Sequence, residues 1–286
     1  MPEVRLVDRL HRHQVLELRL SDISALGNLF NISDNCPAHM RNILLITDER
    51  GKRYLAVPSG EMVNVKGLGT VRSDSLLNSL ETGELQIGGK TLRVRHANIE
   101  DIISTIERKA QMLTPKDIAM MIHLCGAGSG SKVVEGGAGS GALSIALLAS
   151  VGTEGHVTTY ELREDFAAIA RRNVESASLS EGWTLKLGNV CEKIDERNVD
   201  AVMLDIPNPW DCVIVAKAAL KSGGTFCAFI PNVNQVESTV HSLRDNSFTE
   251  VRAIETLQRE LLVHEGGARP SCDMLGHTGY LVVARR

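Results

Sequence analysis

Val133-Val-Glu-Gly-Gly-Ala-Gly-Ser-Gly-Ala-Leu143 decides the reading of the fold. Two β-branched residues lead into Glu135, then into a turn carrying Gly137, Gly139 and Gly141, and the text becomes helical at Ala142. Positions without a side chain let the backbone approach a ligand, and the start of the helix offers unpaired N–H groups at the same point. Gly137-Ala-Gly139-Ser-Gly-Ala142 also fits the dinucleotide pattern G-x-G-x-x-A, and a glycine turn without a ligand is the bland alternative.

From Thr114 onward, strands alternate with helical segments, the signature of a parallel sheet covered on both faces. Thr114-Pro-Lys-Asp117 predicts a helix start, with Thr114 as N-cap and Pro115 at the first helical position. Strands are expected at Lys132 to Glu135, His156 to Tyr160, Thr184 to Leu187, Ala201 to Asp205 and Thr225 to Ile230. Helices fit at Ala142 to Ala149, Glu164 to Ser176, Asp211 to Leu220 and Val233 to Asp245. Phe248 to Leu262 and Gly279 to Ala284 read as strands that pair antiparallel. Upstream, Asn42 to Val57 and Glu84 to Arg95 each read as a hairpin, which suggests a small β domain followed by a helix from Asn98 to Arg108. The expected organisation is an extension over 1–42, the small β domain over 43–107 and a catalytic α/β domain over 108–286.

Composition bounds the partners. At 43% apolar and 23% charged, the 286 residues have a globular profile, and no apolar run reaches the length of a membrane span. The first twenty residues carry Arg, Asp and Glu and do not read as a signal peptide, so a cytoplasmic protein with no membrane partner is expected. Net charge is −4, so RNA would need local basic patches, for which Arg93, Arg95, Arg108 and Lys109 are candidates; no DNA partner is expected. The six cysteines form no C-x-x-C pair, which predicts buried thiols and no disulfide framework. Cys36-Pro-Ala-His39 with His11 and His13 matches no standard zinc spacing, and no metal is expected.

Several residues carry chemistry. The acidic Glu135 ahead of the glycines, their spacing, and a helix before the first strand favour S-adenosylmethionine over a nicotinamide cofactor. Glu161 closes the second strand, where a carboxylate can accept hydrogen bonds from both ribose hydroxyls. Asn189 closes the third, where its side-chain oxygen could read an adenine amino group; an ordinary turn Asn is the alternative. Leu204-Asp-Ile-Pro-Asn-Pro-Trp210 closes the fourth, at the end of the sheet where ligands collect. Asp205 in this stiff turn can accept a proton or hydrogen bond from a substrate amine, or can cap the next helix.

These residues resemble the tRNA (adenine-N1)-methyltransferase family, whose members modify the T-loop adenine (the m1A58 type). The matching text is Gln111-Met-Leu-Thr-Pro-Lys-Asp117, Glu135-Gly-Gly-Ala-Gly-Ser-Gly141, Leu204-Asp-Ile-Pro-Asn-Pro-Trp210, Pro231-Asn-Val-Asn-Gln-Val236 and Gly276-His-Thr-Gly-Tyr-Leu281. It spans roughly residues 43 to 286. The resemblance implies a class I methyltransferase fold, a Rossmann-like sheet that is mostly parallel with an antiparallel C-terminal strand. It implies that Gln111, Glu135, Gly137, Ala138, Gly139, Ser140, Gly141, Glu161, Asn189 and Asp205 surround the cofactor, with Asp205 as the catalytic carboxylate. Thr114, Trp210 and His277 fall on the tRNA side, and a homotetramer is implied. The family usually has Tyr before its Pro-Lys-Asp, where this chain has Thr114. Two other readings compete: a methyltransferase for small molecules such as corrin precursors, and a non-catalytic tRNA-binding subunit.

Overall fold

The computed structural model describes residues 43–109 and 112–286, together with the backbone of two short strands before them. The chain divides into two units, Met1–Ala38 and His39–Arg286. In the first, β1 (Val4–Leu6) and β2 (Leu16–Leu18) pair antiparallel, with Val4 opposite Leu18.

The second unit begins with the two hairpins legible in the sequence. In β3 (Leu44–Thr47) and β4 (Arg53–Ala56), the connecting turn is held by Asp48, whose side chain accepts the N–H groups of Arg50 and Lys52. β7 (Glu84–Ile87) and β8 (Lys90–His96) turn through Gly88 and Gly89, both at positive φ, as a tight hairpin requires. Pairing of β3 with β8 merges them into one four-stranded sheet, β4-β3-β8-β7. A third hairpin, β5 (Met62–Val65) with β6 (Gly69–Arg72), and helix α1 (Ser73–Thr82) are additions to the sequence reading. Both hairpin strands are four residues long and bury only Val63, Val65 and Val71, a weak periodic signal. Helix α2 (Ile99–Thr105) is shorter than expected and opens on a reciprocal capping box between Asn98 and Asp101. Ile43, Ile102 and Ile103 join Ile145, Leu147 and Met203 in one core, so apolar packing runs across the expected boundary at 107.

The large sheet has seven strands in the order β11-β10-β9-β12-β13-β17-β14. These are β9 (Lys132–Gly136), β10 (His156–Glu161), β11 (Trp183–Leu187), β12 (Val199–Leu204), β13 (Leu220–Ile230), β14 (Thr249–Glu255) and β17 (Tyr280–Arg285). The first five listed along the sheet are parallel, and β17 runs antiparallel between β13 and β14. This is the α/β class expected. Because β9 and β12 are adjacent while the chain between them passes through β10 and β11, the strand order reverses at β9 and opens a crevice at the carboxyl ends.

Around the sheet lie α3 (Pro115–Cys125), α4 (Ala142–Val151), α5 (Glu164–Ser176), α6 (Val213–Ala219) and α7 (Val233–Asp245). Eight of the ten residues of α4 are buried, so it is a core helix with no polar face. α5 and α7 match their expected limits. The helix expected over 211–220 is a 3-10 turn at Pro209–Cys212 followed by α6. The strand-like run 248–262 also splits: β14 pairs with β17, while β15 (Leu261–His264) forms a separate hairpin with β16 (Gly267–Pro270). Among the described residues, no helix is long and apolar enough to cross a membrane.

Candidate active site

The crevice is built from backbone first. Asp205 N–H donates to Gly136 O, Gly137 N–H to Tyr160 O and Gly188 N–H to Glu161 O, each at 2.9 Å, so four strand ends are tied to one another. Side chains are excluded where they meet. A Cβ on Gly136 would lie 2.7 Å from Leu204 and 2.8 Å from Val190; one on Gly137, at φ +91°, would lie 2.3 Å from the Asp205 carbonyl oxygen. Gly139 differs, because a Cβ there would meet nothing within 4 Å.

A cavity of about 670 Å³ covers these strand ends. Of the residues expected at the site, Gly137, Gly139, Glu161, Asn189, Asp205 and Thr114 line it. Ala138, Ser140 and Gly141 belong to the turn without lining the cavity; Ser140 Oγ is buried and unpartnered, and its carbonyl accepts from Asn173. Gln111 lies outside the described residues, as do Cys36, His39, His11 and His13.

Glu161 is a fastening as well as a cavity wall. Its Oε2 accepts N–H groups from Ala138 at 2.9 Å and Gly139 at 3.3 Å, and its Oε1 accepts that of Arg163 at 2.9 Å. Each oxygen keeps acceptor capacity for a ligand hydroxyl. Glu135 sits beneath the turn, fully buried, where Oε2 accepts from Ser144 Oγ at 2.5 Å and Thr159 Oγ1 at 2.6 Å while Oε1 has no partner. Burial pushes its carboxyl up to about 7, against the two hydroxyl bonds, and the charges of Asp205 and Glu161 add to the rise. It supports the turn from inside the core and does not line the cavity.

Asp205 makes no side-chain hydrogen bond among the described residues, and Asn208 occupies the N-cap position of the 3-10 turn. The capping alternative is therefore not the arrangement found. Solvent reaches Asp205 through the cavity mouth, yet the enclosing protein raises its carboxyl to about 6, with the Glu161 charge as the second cause. At neutral pH it is a mostly ionised acceptor with no hydrogen-bond partner among the described residues.

Asn189 lines the cavity, but its Oδ1 already accepts the Cys191 N–H at 3.0 Å and its Nδ2 donates to Glu192, so one lone pair is left for a ligand. Cys191 and Cys212 are joined in a disulfide, contrary to the expectation of thiols throughout; it links the turn after β11 to the one after β12. Cys125 and Cys227 are buried thiols and Cys272 is exposed.

Thr114 stands at the N-cap of α3 without a capping bond, since its hydroxyl donates to Asp117 Oδ2 at 2.7 Å. Trp210 lies in the 3-10 turn and does not line the cavity. His277 is also outside the lining: Nδ1 faces Glu255 at 2.7 Å and Nε2 faces the Pro231 carbonyl at 3.0 Å. Two acceptors, the Glu255 carboxylate foremost, favour the doubly protonated ring and push its pKa up. The basic candidates divide: Arg95 is held by Asp101 at 2.6 and 2.7 Å and Lys109 by Asp165 at 2.5 Å, while Arg93 and Arg108 have no ion pair among the described residues.

Sequence reasoning missed Leu162, Phe166, Phe229, Gln235 and Thr278, which also line the cavity. Phe229 extends β13 beside Asp205, one step past the paired Leu204 and Ala228, and its ring packs where Gly279 has no side chain. The available signals were the motifs themselves, since Phe229 precedes Pro231-Asn-Val and Thr278 lies inside Gly276-His-Thr-Gly.

Over 269 residues the chain is 37% identical to the tRNA (adenine(57)-N(1)/adenine(58)-N(1))-methyltransferase TrmI of Methanocaldococcus jannaschii, covering 84% of this chain and 94% of that protein. It is 33% identical to the tRNA (adenine(58)-N(1))-methyltransferase TrmI of Thermus thermophilus, covering 85% and 96%. The crystal structure of the tRNA (m1A58) methyltransferase TrmI from Aquifex aeolicus superposes with a TM-score of 0.66 at 25% identity, over 86% of this chain and 96% of that one. The family described as tRNA methyltransferase complex GCD14 subunit matches residues 100–267. The glycine turn, the Glu161 fastening and Asp205 all fall within that match, and the chain belongs to this family of tRNA methyltransferases.

Proposed function

We propose that the protein transfers a methyl group from S-adenosylmethionine to N1 of an adenine in tRNA, the T-loop m1A58 type, as a cytoplasmic homotetramer. The observation that carries this reading is Asp205, an ionised carboxylate without a partner among the described residues, set in the cavity beside a glycine turn that Glu161 fastens.

The residues fit the cofactor. Gly139 faces open space where any side chain would intrude, and 670 Å³ lies within the range of small-molecule sites. Glu161 would hold ribose hydroxyls, Asn189 the adenine edge, and the turn at Gly137 and Gly139 would pass along the remainder. Bound there, the cofactor supplies an electrophilic methyl on a sulfonium centre. The protein's own task is to orient the base and exclude water, because adenine N1 is itself the nucleophile. Asp205 accepts a hydrogen bond from the exocyclic N6 amine, a contact that strengthens as positive charge spreads over the ring. An extruded base suits a cavity of this volume that is open to solvent at Asp205.

The separate β15–β16 hairpin supports self-association. Leu261 and Val263 on it, and Leu257 and Leu275 in the segments before and after it, are 59 to 75% exposed, and a two-stranded hairpin alone is marginal in water.

Incubation with unmodified tRNA transcripts and labelled cofactor, followed by mapping of the methylated nucleoside, tests the reading. N1-methyladenosine in the T-loop is the expected result. Methylation of a small acceptor without RNA would replace it with the small-molecule reading, and calorimetry showing no cofactor binding would replace it with the non-catalytic one.

A further inference from the structure

Four side chains form a continuous polar chain that begins and ends at the wall of the cavity. Thr114 Oγ1 donates to Asp117 Oδ2 at 2.7 Å, Lys116 Nζ donates to Asp117 Oδ1 at 2.6 Å, and the same Nζ donates to Thr278 Oγ1 at 2.7 Å. The two ends of the chain, Thr114 and Thr278, both line the cavity, although 164 positions separate them in the sequence. The middle is enclosed: the Lys116 side chain is 12% exposed and that of Asp117 1%. A buried ion pair contributes little net stability compared with an apolar pair of the same volume, so its retention calls for another reason. The segment that Lys116 grips is fastened on either side as well. His277 is held by Glu255 and Pro231, and Gly279 leaves room for the Phe229 ring.

With the cofactor assigned to the turn and Glu161, the lining at Met112–Thr114 and at Thr278 is left for the acceptor. We infer that Lys116 is a positioning residue for the acceptor base: through Thr278 it locks residues 276–279 to the start of α3 and so sets the width of the acceptor end of the cavity. This rests on the proposed methylation of tRNA. It also gives Thr114 a use other than an aromatic clamp, since its hydroxyl is an end of the same chain.

Thr278→Val removes the acceptor for Lys116 at nearly constant volume and leaves the Lys116–Asp117 pair intact, which makes it a safer test than Lys116→Met. Loss of one hydrogen bond to a charged donor should raise the tRNA KM at least about fivefold, with kcat at saturating tRNA within about twofold of the unaltered protein. Cofactor affinity by calorimetry should change less than about twofold, amide exchange over residues 274–279 should quicken, and Thr278→Ser should restore both exchange and KM. An unchanged KM, a rise that Ser does not reverse, or a parallel loss of cofactor affinity would overturn the positioning role. Unchanged amide exchange in Thr278→Val would overturn the latch whatever the acceptor. Failure of the unaltered protein to methylate any tRNA would instead remove the reading on which the inference stands.

Discussion

Gly137 and Asp205 touch through their backbones: a Cβ on the first would stand 2.3 Å from the carbonyl oxygen of the second. The glycine turn and the candidate catalytic carboxylate are thus one structural unit. Gly137→Ala adds both that collision and an L side chain at φ +91°, a conformation that costs about 1 to 3 kcal/mol by itself. A fall in thermal midpoint together with at least a tenfold loss of cofactor affinity is expected from differential scanning fluorimetry and calorimetry. An unchanged midpoint would show that β12 yields to the added methyl.

Glu161→Ala removes three backbone fastenings along with the expected ribose contacts. Charge-assisted bonds contribute roughly 1.5 to 3 kcal/mol each, so cofactor binding should weaken tenfold or more. Calorimetric titration decides the point, and undiminished affinity would place the ribose elsewhere.

Asp205 gives two linked expectations. Its carboxyl is raised from the ordinary value to about 6, so the ionised acceptor is present above that pH and lost below it. The rate should therefore fall on the acid side with a midpoint near 6. Asp205→Asn keeps shape and one acceptor but loses the charge, and should lower kcat by about 10² while flattening that acid limb. Near-normal single-turnover methylation by Asp205→Asn would return Asp205 to a structural role.

Glu135 predicts a stability effect of the opposite kind to a salt-bridged acid. Its folded pKa, about 7, lies above the unfolded value, so the folded protein binds the proton more tightly. Its contribution is fully present below about pH 4.5 and disappears as pH rises through 7, a change on the order of 3 kcal/mol. Glu135→Gln should make stability between pH 5 and 8 flatter in urea unfolding. Equal slopes for the two proteins would mean that Glu135 titrates normally.

The parts of this molecule legible in its sequence are those whose local chemistry has one solution. The turn from Gly136 to Gly141 needs glycine because β12, Val190 and Ala170 press against it, and α5 and α7 declare themselves by their amphipathic period. Glu161 and Asp205 were found because they end strands. Phe229 and Thr278 were not, since only the register of β13 against β12 and the return of β17 bring them to the cavity. The Cys191–Cys212 link was equally hidden: the residues are 21 apart and meet because two strand-end turns converge. Asp205 as a cap and Asp205 as a free carboxylate could be told apart only by the structure, where Asn208 takes the N-cap position and Asp205 has no partner among the described residues. Trp210 and His277 sat in persuasive motifs, but the first falls within a 3-10 turn and the second braces a loop.

The cavity draws its two halves from unconnected stretches of chain. Its floor comes from the ends of β9, β10, β11 and β12, bound to one another through their backbones. Another part of its wall comes from residues 112–114 and Thr278, joined to each other through the side chains of Lys116 and Asp117. Exchange at the wall leaves the floor's bonding untouched, whereas a change in the floor disturbs all four strands at once.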